Sequence, residues 1–449
     1  MRRARRRPVV TASLRSTVVS DSHPQRPAVA ARLRGAATPG RIVAAVLVAV
    51  ALGTAVTLTV RYQPVLLGMV PSPDMRELHP DFDTFWHSAV AMLHGDDIYR
   101  TPAKLTNLNP PVLSVLLAPF ALLGALPAYR LWIALTLLMI VGAVLAVARE
   151  LRLGTFWTTA AVLALLLSSP LHGTLLLGQI YGLLLVAMAA GWIAERRGRP
   201  VLAAVLYGVA VAFKPSLAPI LLLPFVQGRW RPGAAGIGGA AAATLVGVAV
   251  AGWSSGLEWL RIGLTTAVPD VGDNAALPGV AVRFGLSSTI GTAAGALLLV
   301  ATLVVLGRSA RRGAADPAGT APWAVVAAGL LTAPIAWHNY LLLLWPGVLV
   351  LVALGREQPG REQPGRELRW SRPVAAVLLA VPVIPVSWGA LWADGDPWSP
   401  VGRSLYCVVL LAYWVSLLVA SSVPAASDRG AGTAADAPAD EPERTAASG

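Results

Sequence analysis

Long apolar runs recur along almost the whole chain, and they constrain the fold more than any other feature. Of the 449 residues, 55% are hydrophobic and only 13% are charged, against about 25% charged residues in soluble domains. A helix of about 20 apolar residues can cross a bilayer. The sequence therefore predicts an all-α polytopic membrane protein. It predicts a bundle of about 12 transmembrane helices, at residues 41–60, 129–148, 155–170, 180–195, 200–213, 215–227, 233–252, 286–307, 321–335, 339–354, 373–390 and 403–422.

The two ends of the chain differ from this apolar body. Residues 1–40 carry many arginines and no apolar run, which is typical of a disordered basic arm. Residues 423–449 are rich in Ala, Asp, Glu and Pro and predict a disordered tail. The transmembrane domain is then 41–422, with its first span acting as an uncleaved signal anchor.

The arginines predict the orientation in the membrane, because cytoplasmic loops carry an excess of positive charge. Residues 109–126 are apolar, but Pro110, Pro111 and Pro119 interrupt them; they could form a separate span, a re-entrant segment or a bent helix. If they do not cross, and the basic arm is cytoplasmic, five arginine clusters share the cytoplasmic side. These are Arg149 and Arg152; Arg196, Arg197 and Arg199; Arg229 and Arg231; Arg308, Arg311 and Arg312; and the linker 356–372.

This arrangement accounts for the net charge of +13 without nucleic-acid binding. It places most of the acidic residues outside the linker and tail in extracytoplasmic loops, together with the other polar candidates. The predicted extracytoplasmic segments are 61–108, 171–179, the neighbourhood of Lys214, 253–285, 336–338 and 391–402.

The first of these loops contains the acidic, aromatic segment "HPDFDTFWHSAVAMLHGDDIYR" (79–100). Its apolar residues recur with a helical period, which predicts a short interfacial helix with Phe85 and Trp86 at the lipid headgroups. Asp81 and Asp83 would lie near the helix N-terminus, where backbone N–H groups favour carboxylates. Taken alone, the segment favours two capping or solvated loop carboxylates.

Two further polar residues interrupt apolar surroundings. Lys214 is one of only two lysines and lies between two apolar runs, where a cation needs a cavity, the interface or an anion such as phosphate. Gln179, in "LHGTLLLGQIYGLLL", is an amide that needs partners if it is buried, and a sugar hydroxyl could supply them. Snorkelling of Lys214 at a hairpin and helix packing of Gln179 remain open alternatives.

The later extracytoplasmic loops add a third group of candidates. "VPDVGDNAALPGVAVRFG" carries Asp270, Asp273, Asn274 and Arg283. Asn274 and Arg283 suit polar recognition of sugar or phosphate, and the segment is also consistent with a solvated loop. His338 follows Trp337 at the outer end of two predicted spans and could transfer a proton, contact phosphate or be structural. The sequence has no Walker loop, HExxH, GxSxG or CxxC motif. No metal and no cofactor are therefore expected.

Taken in order, these segments resemble glycosyltransferase family 87, within the GT-C membrane glycosyltransferases. The matching pieces span residues 80–350: "DFDTFWHSAVAMLHGDDIY", "NPPVLSVLLAPF", "LPAYRLW", "GQIYGLLLV", "GRPVLAAVLYGVAVAFKPSLAPILLLPF", "DNAALPGVAVRF" and "TAPIAWHNYLLLLWP". Two positions depart from the family's usual pattern. Ile180 and Tyr181 follow Gln179, where an asparagine is common, and Ala275 and Ala276 replace a common Gln-Ser pair.

The resemblance implies a GT-C-like bundle that transfers a sugar, typically mannose, from a polyprenyl-phosphate donor to a glycolipid or glycan acceptor outside the plasma membrane. It implies inversion to an α product, with Asp81 as catalytic base, Asp83 as the fallback, and His338 as a second catalytic group. It implies substrate or phosphate contacts from Lys214, Gln179, Asn274, Arg283, Asp83 and Tyr99. The alternative is a non-enzymatic transporter or flippase of lipid-linked sugars, for which paired repeats are expected and are not seen in the sequence.

Overall fold

The computed structural model describes residues 78–312, 319–355, 370–384 and 397–422, and the regular structure in these ranges is helical. The α-helices are α1 (Pro80–His94), α2 (Pro111–Ala121), α3 (Ala125–Glu150), α4 (Thr155–Leu166), α5 (Ser169–Leu177), α6 (Tyr181–Arg196), α7 (Pro200–Phe213), α8 (Leu223–Val226), α9 (Trp230–Ala251), α10 (Trp253–Thr265), α11 (Leu277–Arg283), α12 (Ser288–Arg311), α13 (Ala321–Thr332), α14 (Trp345–Leu354), α15 (Ser371–Ala380), α16 (Ser399–Gly402) and α17 (Leu405–Ser422). Three 3-10 helices, Pro215–Leu222, His338–Leu344 and Val381–Val383, join some of them. The predicted span 41–60, the arm 1–40 and the tail 423–449 lie outside these ranges.

Several of these helices have the length and composition of membrane spans. Within the described ranges, α3, α9, α12 and α17 are each at least 18 residues long and strongly apolar, and the bent pair α4–α5 makes a fifth candidate. The chain is therefore an all-helical, multi-pass membrane protein, as its composition predicts. The predicted number of about 12 spans stays a prediction, because the other apolar helices are only 10–17 residues long.

Most helices begin and end close to the bounds of the predicted spans. The predicted span 200–213 coincides with α7, whose first residue is Pro200; proline suits this position because its missing N–H has no helical partner there. The predicted span 155–170 is not one straight helix. It breaks after Leu166, and α5 starts a new helix bent by 50° from α4, with Ser168 accepting a hydrogen bond from the Leu171 N–H.

Two predicted spans begin in a tighter helix than expected. Residues 215–222 form a 3-10 helix before the short α8, and the span predicted at 339–354 likewise starts with the 3-10 helix His338–Leu344. In the first case Pro219 lies inside the helix, where it lacks the N–H that an α-helix needs and its ring would clash with the carbonyl four residues earlier. Pro215 also disfavours the α conformation at Lys214, whose φ of −143° and ψ of 89° end α7.

The apolar segment 109–126 does not form a long helix. Its helix α2 has 11 residues, about 16 Å at 1.5 Å per residue, which is about half the thickness of a bilayer core. A straight crossing by α2 alone is therefore excluded. This agrees with the orientation in which 109–126 is not counted as a span.

The helices α3, α6 and α7 share two chemically distinct ends. At one end Glu150 of α3 pairs with Arg197 at 2.9 Å, and Glu195 of α6 pairs with Arg229. At the other end the Trp132 indole of α3 donates to the Gly178 carbonyl at 2.9 Å, just before α6 begins. Lys214 directly follows the last residue of α7 and lies at this second end. We call this second end the site end.

Candidate active site

Asp81 lies at the site end, in the first turn of α1. The structure thus places a helix over the predicted amphipathic segment. The Gln179 amide Nε2 donates a hydrogen bond to Asp81 Oδ2. Gly178 allows this approach: it has a φ of +67°, and a Cβ there would lie 2.6 Å from the Phe82 Cβ, so a side chain would separate the two segments.

The environment of Asp81 shifts its ionisation. Burial raises the pKa of the Asp81 carboxyl above its ordinary value, and the negative charge of Asp273 acts in the same direction. The hydrogen bond from Gln179 and the positive charge of Lys214 lower the pKa, but they do not cancel the effect of burial. A carboxylate with a raised pKa is a better proton acceptor than an ordinary one.

Asp83 faces a different set of partners from Asp81. One carboxylate oxygen lies 3.1 Å from the His87 Nδ1, and the other accepts from the Lys104 backbone N–H at 3.4 Å. Both oxygens therefore hold the first loop together. Phe85 is 4% exposed and packs in the protein core, so the prediction that it lies at the lipid headgroups is wrong.

Lys214 is held between a side-chain amide and an aromatic ring. Its ammonium donates to Asn109 Oδ1 at 3.3 Å and lies 5.7 Å from the centre of the Tyr340 ring, within the range of a cation–π interaction. Its charge lowers the pKa of Asp81, so the two groups are electrostatic neighbours. Lys214 is half-buried, and an ammonium group, which has three N–H donors, can take a further acceptor.

A buried network of hydrogen bonds fixes Asn109, the residue that accepts from Lys214. Asn107 Oδ1 accepts from both the backbone N–H (2.9 Å) and the side-chain amide (3.2 Å) of Asn109. The Tyr99 hydroxyl donates to the Asn109 carbonyl at 2.9 Å, and burial raises the pKa of that hydroxyl. Tyr99 therefore reaches Lys214 through Asn109 rather than directly.

His338 is buried and oriented by Asp273. Its Nδ1 lies 3.2 Å from Asp273 Oδ2, and its backbone N–H donates to the Asp273 carbonyl at 2.8 Å. Its Nε2 lies 3.4 Å from the Ser169 carbonyl oxygen. Because both ring nitrogens face oxygen acceptors, the ring can donate to both only when it carries a positive charge.

Asn274 and Arg283 brace the loops around this histidine. Asn274 Oδ1 accepts from the Ala276 and Ala336 backbone N–H groups at 3.2 and 3.0 Å, which ties the two loops together. Arg283 donates to Ser404 Oγ at 3.2 Å and to the Val271 carbonyl at 2.7 Å. Its Nη2 is buried without a partner among the described residues, and burial lowers the pKa of the guanidinium.

The structure thus brings Asp81, Gln179 and Lys214 together and connects Asp273, which interacts electrostatically with Asp81, to His338. Asn109 and Tyr340 are site residues that the sequence did not single out, and Asp273 was named only as one of the polar residues in the loop of Asn274 and Arg283. All three lie inside the motif segments "NPPVLSVLLAPF", "TAPIAWHNYLLLLWP" and "DNAALPGVAVRF". Their place in these motifs was the signal that could have found them.

These features define the class of reaction that the site can support. A multi-pass helical membrane protein holds a half-buried carboxylate with a raised pKa within electrostatic range of an ammonium group, at the end of the bundle opposite the pairs Glu150–Arg197 and Glu195–Arg229. This combination suits base-assisted transfer to or from a substrate with a negatively charged group. No group of three or more His, Cys, Asp or Glu side chains within the described ranges could hold a metal ion.

The chain belongs to glycosyltransferase family 87. The family model matches residues 107–336, just over half of the chain. The matched range contains Gln179, Lys214, Asn274 and Arg283, whereas Asp81 and His338 lie outside it.

Curated relatives share parts of the chain. An alpha-(1->3)-arabinofuranosyltransferase of Mycobacterium tuberculosis is 30% identical over 163 residues, covering 34% of this chain and 37% of that protein. A polyprenol-phosphate-mannose-dependent alpha-(1-2)-phosphatidylinositol mannoside mannosyltransferase of the same organism is 26% identical over 306 residues, covering 61% and 70%. The match thus spans little more than a third of the first relative's length.

Among solved structures, ArnT from Cupriavidus metallidurans bound to undecaprenyl phosphate is similar at 16% identity with a TM-score of 0.34. The match covers 84% of this chain and 78% of that chain. A TM-score of this size does not establish a shared fold.

Proposed function

We propose that the protein is a membrane glycosyltransferase that moves mannose from a polyprenyl-phosphate donor to a glycolipid or glycan acceptor. We place the reaction at the extracytoplasmic face of the plasma membrane, in a GT-C-like bundle. The observation that carries the proposal is the Asp81 carboxylate held by Gln179 beside the Lys214 ammonium, in a chain of glycosyltransferase family 87.

In the proposed reaction Asp81 takes the proton from the acceptor hydroxyl as its oxygen attacks the anomeric carbon. The bond from this carbon to the phosphate oxygen breaks, and its electron pair leaves with the phosphate. Attack opposite the leaving group inverts the anomeric centre, so that a β-linked donor gives an α product. A phosphate is a good leaving group, and the reaction therefore needs a base but no strong general acid.

Negative charge builds on the departing phosphate, and nearby cations stabilise it. We assign this role to Lys214, with Arg283 and His338, which Asp273 orients, as further phosphate contacts. Gln179 orients Asp81 and can contact a sugar hydroxyl through its Oε1, which is buried without a partner in the described part of the chain. Asp83, Tyr99 and Asn274 would act by positioning the loops that carry these groups.

A second donor sugar is favoured by one observation. The first relative by identity is named as an arabinofuranosyltransferase, and an arabinofuranose on the same lipid phosphate would use the same base and cations. A non-enzymatic transporter or flippase of lipid-linked sugars is the candidate from another class.

One assay separates these candidates. The full chain in sealed proteoliposomes is given polyprenyl-phosphate mannose or polyprenyl-phosphate arabinose, each labelled in the sugar, with a membrane glycolipid fraction as acceptor. We expect label in the glycolipid from the mannose donor, and no label when Asp81→Asn replaces the wild type. Label from arabinose alone would establish the second candidate. Movement of either donor across the bilayer without transfer would refute the enzyme and support a transporter.

A further inference from the structure

The helix α10 has an apolar face whose four side chains are all more than half exposed in the described structure. Trp253, Leu257, Leu260 and Leu264 are spaced by four, three and four residues, which places them on one side of the helix. Trp253 is 69% exposed and Leu264 is 87% exposed, and the two leucines between them are each 53% exposed. We call these four residues the apolar stripe.

The other two sides of α10 have different partners. Ser255 and Gly256 are buried, and a Cβ at Gly256 would lie 3.0 Å from a Val248 methyl of α9, so this side packs on the protein. The remaining side is polar: Ser254 and Thr265 are exposed, and Arg261 forms a 2.7 Å ion pair with Glu258. A helix with one protein-facing, one apolar and one polar side suits a position at a membrane surface.

The helix α10 begins directly after the candidate membrane span α9. It follows α9 after a single residue, Gly252, whose φ of +91° turns the chain sharply. The helix α9 is long and apolar enough to cross the bilayer, so α10 begins where the chain leaves the hydrocarbon core. Trp253, the first residue of α10, is of the type enriched at that depth.

The packing of α9 on α2 places the start of α10 at the site end. A Cβ at Gly247, near the end of α9, would lie 2.4 Å from the backbone nitrogen of Val112 in α2. Val112 closely follows Asn109, which accepts the hydrogen bond from Lys214. On the polar side of α10, the hydrogen bond from Arg261 lowers the pKa of Glu258, and so does the positive charge of Arg100 in the first loop, which lies within electrostatic range.

We propose that α10 is an interfacial helix that lies on the bilayer surface beside the candidate site, with the apolar stripe inserted among the acyl chains. The occupant of this face is membrane lipid. Its exposed polar side then meets water, and Glu258 and Arg261 lie above the headgroups next to the first loop. This inference goes beyond the proposed transfer reaction and does not depend on it.

Spin labels on the two exposed sides test the position of α10. The full chain carries Cys407→Ala, which removes its single, buried cysteine, and one new cysteine at Leu257 or Leu264 of the stripe, or at Ser254 or Thr265 of the polar side. Each is spin-labelled in nanodiscs of phosphatidylcholine and phosphatidylglycerol. Oxygen, which concentrates in lipid, and a water-soluble nickel chelate are compared as relaxing agents.

We expect oxygen to relax the labels at Leu257 and Leu264 several-fold more than the nickel chelate does, and the order to reverse at Ser254 and Thr265. Because all four sites are exposed, the labels leave the packing of the helix unchanged. Strong relaxation of the stripe by the chelate would show that the stripe faces water. Weak relaxation by both agents would show that protein covers it. Either result would overturn the proposal.

Discussion

Asp81 and Asp83 are two residues apart, yet their partners differ completely. Asp81 meets Gln179 and the charge of Lys214, whereas both oxygens of Asp83 are taken by His87 and the Lys104 N–H. We expect Asp81→Asn to lower the rate of sugar transfer by about 10²–10⁴-fold, the usual contribution of a general base. Asp83→Asn, the matched control, should retain most of the rate in single-turnover assays. The reverse order would move the base to Asp83.

The hydrogen bond from Gln179 opposes the effect of burial on Asp81, and this predicts a shift with pH. Gln179→Leu removes that bond, so the pKa of Asp81 rises further. The base works only when deprotonated, and the acidic limb of the pH–rate profile should therefore move to higher pH. Gln227→Leu, the same change at the opposite end of α6 and α7, should leave the profile in place. An unshifted limb in Gln179→Leu would remove its role on Asp81.

Lys214 and Lys104 are the only two lysines in the chain, which gives a matched pair. Lys214→Ala removes a point charge beside Asp81, and we expect the donor KM to rise at least tenfold while the acceptor KM changes little. Lys104 is exposed in the first loop and contributes only its backbone N–H to Asp83, so Lys104→Ala should change neither constant. Equal changes in both constants for Lys214→Ala would argue against a phosphate contact.

The sequence indicated which single residues carry chemistry, but it did not indicate which residues they contact. Lys214 and Gln179 stood out because polar groups are costly among apolar runs. Their contacts could not be predicted from spacing, since Gln179 meets Asp81 across 98 positions and Lys214 meets Asn109 across 105. Asn107 and Asn109 looked like ordinary loop residues, and only packing shows that they hold the ammonium in place.

Among the helices, α7 and α9 approach each other through glycine. A Cβ at Gly208 would lie 2.1 Å from the Gly236 carbonyl oxygen, whereas a Cβ at Gly238 would meet nothing within 4 Å. Gly208→Ala forces two backbones apart, and overpacking of this kind costs about 1–3 kcal/mol. We expect a lower unfolding temperature in detergent for Gly208→Ala. Gly238→Ala should be neutral or slightly stabilising, because alanine favours a helix. Similar unfolding temperatures would contradict the close packing of α7 on α9.

The bounds of the helices were predictable where proline or an apolar run marks them, as at Pro200. The bend between α4 and α5 and the 3-10 segments were not. Hydropathy is continuous across Leu167, and it does not distinguish an α-helix from a 3-10 helix after Pro215. These breaks depend on where backbone donors find partners after the helices pack, which a one-dimensional pattern does not contain.

At the scale of the whole molecule, the polar groups separate into two layers. The pairs Glu150–Arg197 and Glu195–Arg229 lie at one end of α3, α6 and α7, and Asp81, Gln179 and Lys214 lie at the other. Excess arginine marks the cytoplasmic side of a membrane protein. The site end should therefore face outward, where a lipid-carried sugar can serve as donor without nucleotide sugars.

Thiol labelling tests this orientation directly. Asp96 and Arg199 are both exposed and lie at the two opposite ends, and Cys407 is buried, so a single introduced cysteine dominates the signal. We expect a membrane-impermeant maleimide to label Asp96→Cys in intact cells and Arg199→Cys only after the membrane is permeabilised. The opposite pattern would put Asp81 in the cytoplasm, where a polyprenyl-phosphate sugar would have to be used on the side of its synthesis. Labelling of both residues from one side would mean that the chain crosses the bilayer an even number of times between Asp96 and Arg199. The two-layer arrangement, which needs an odd number, would then have to be abandoned.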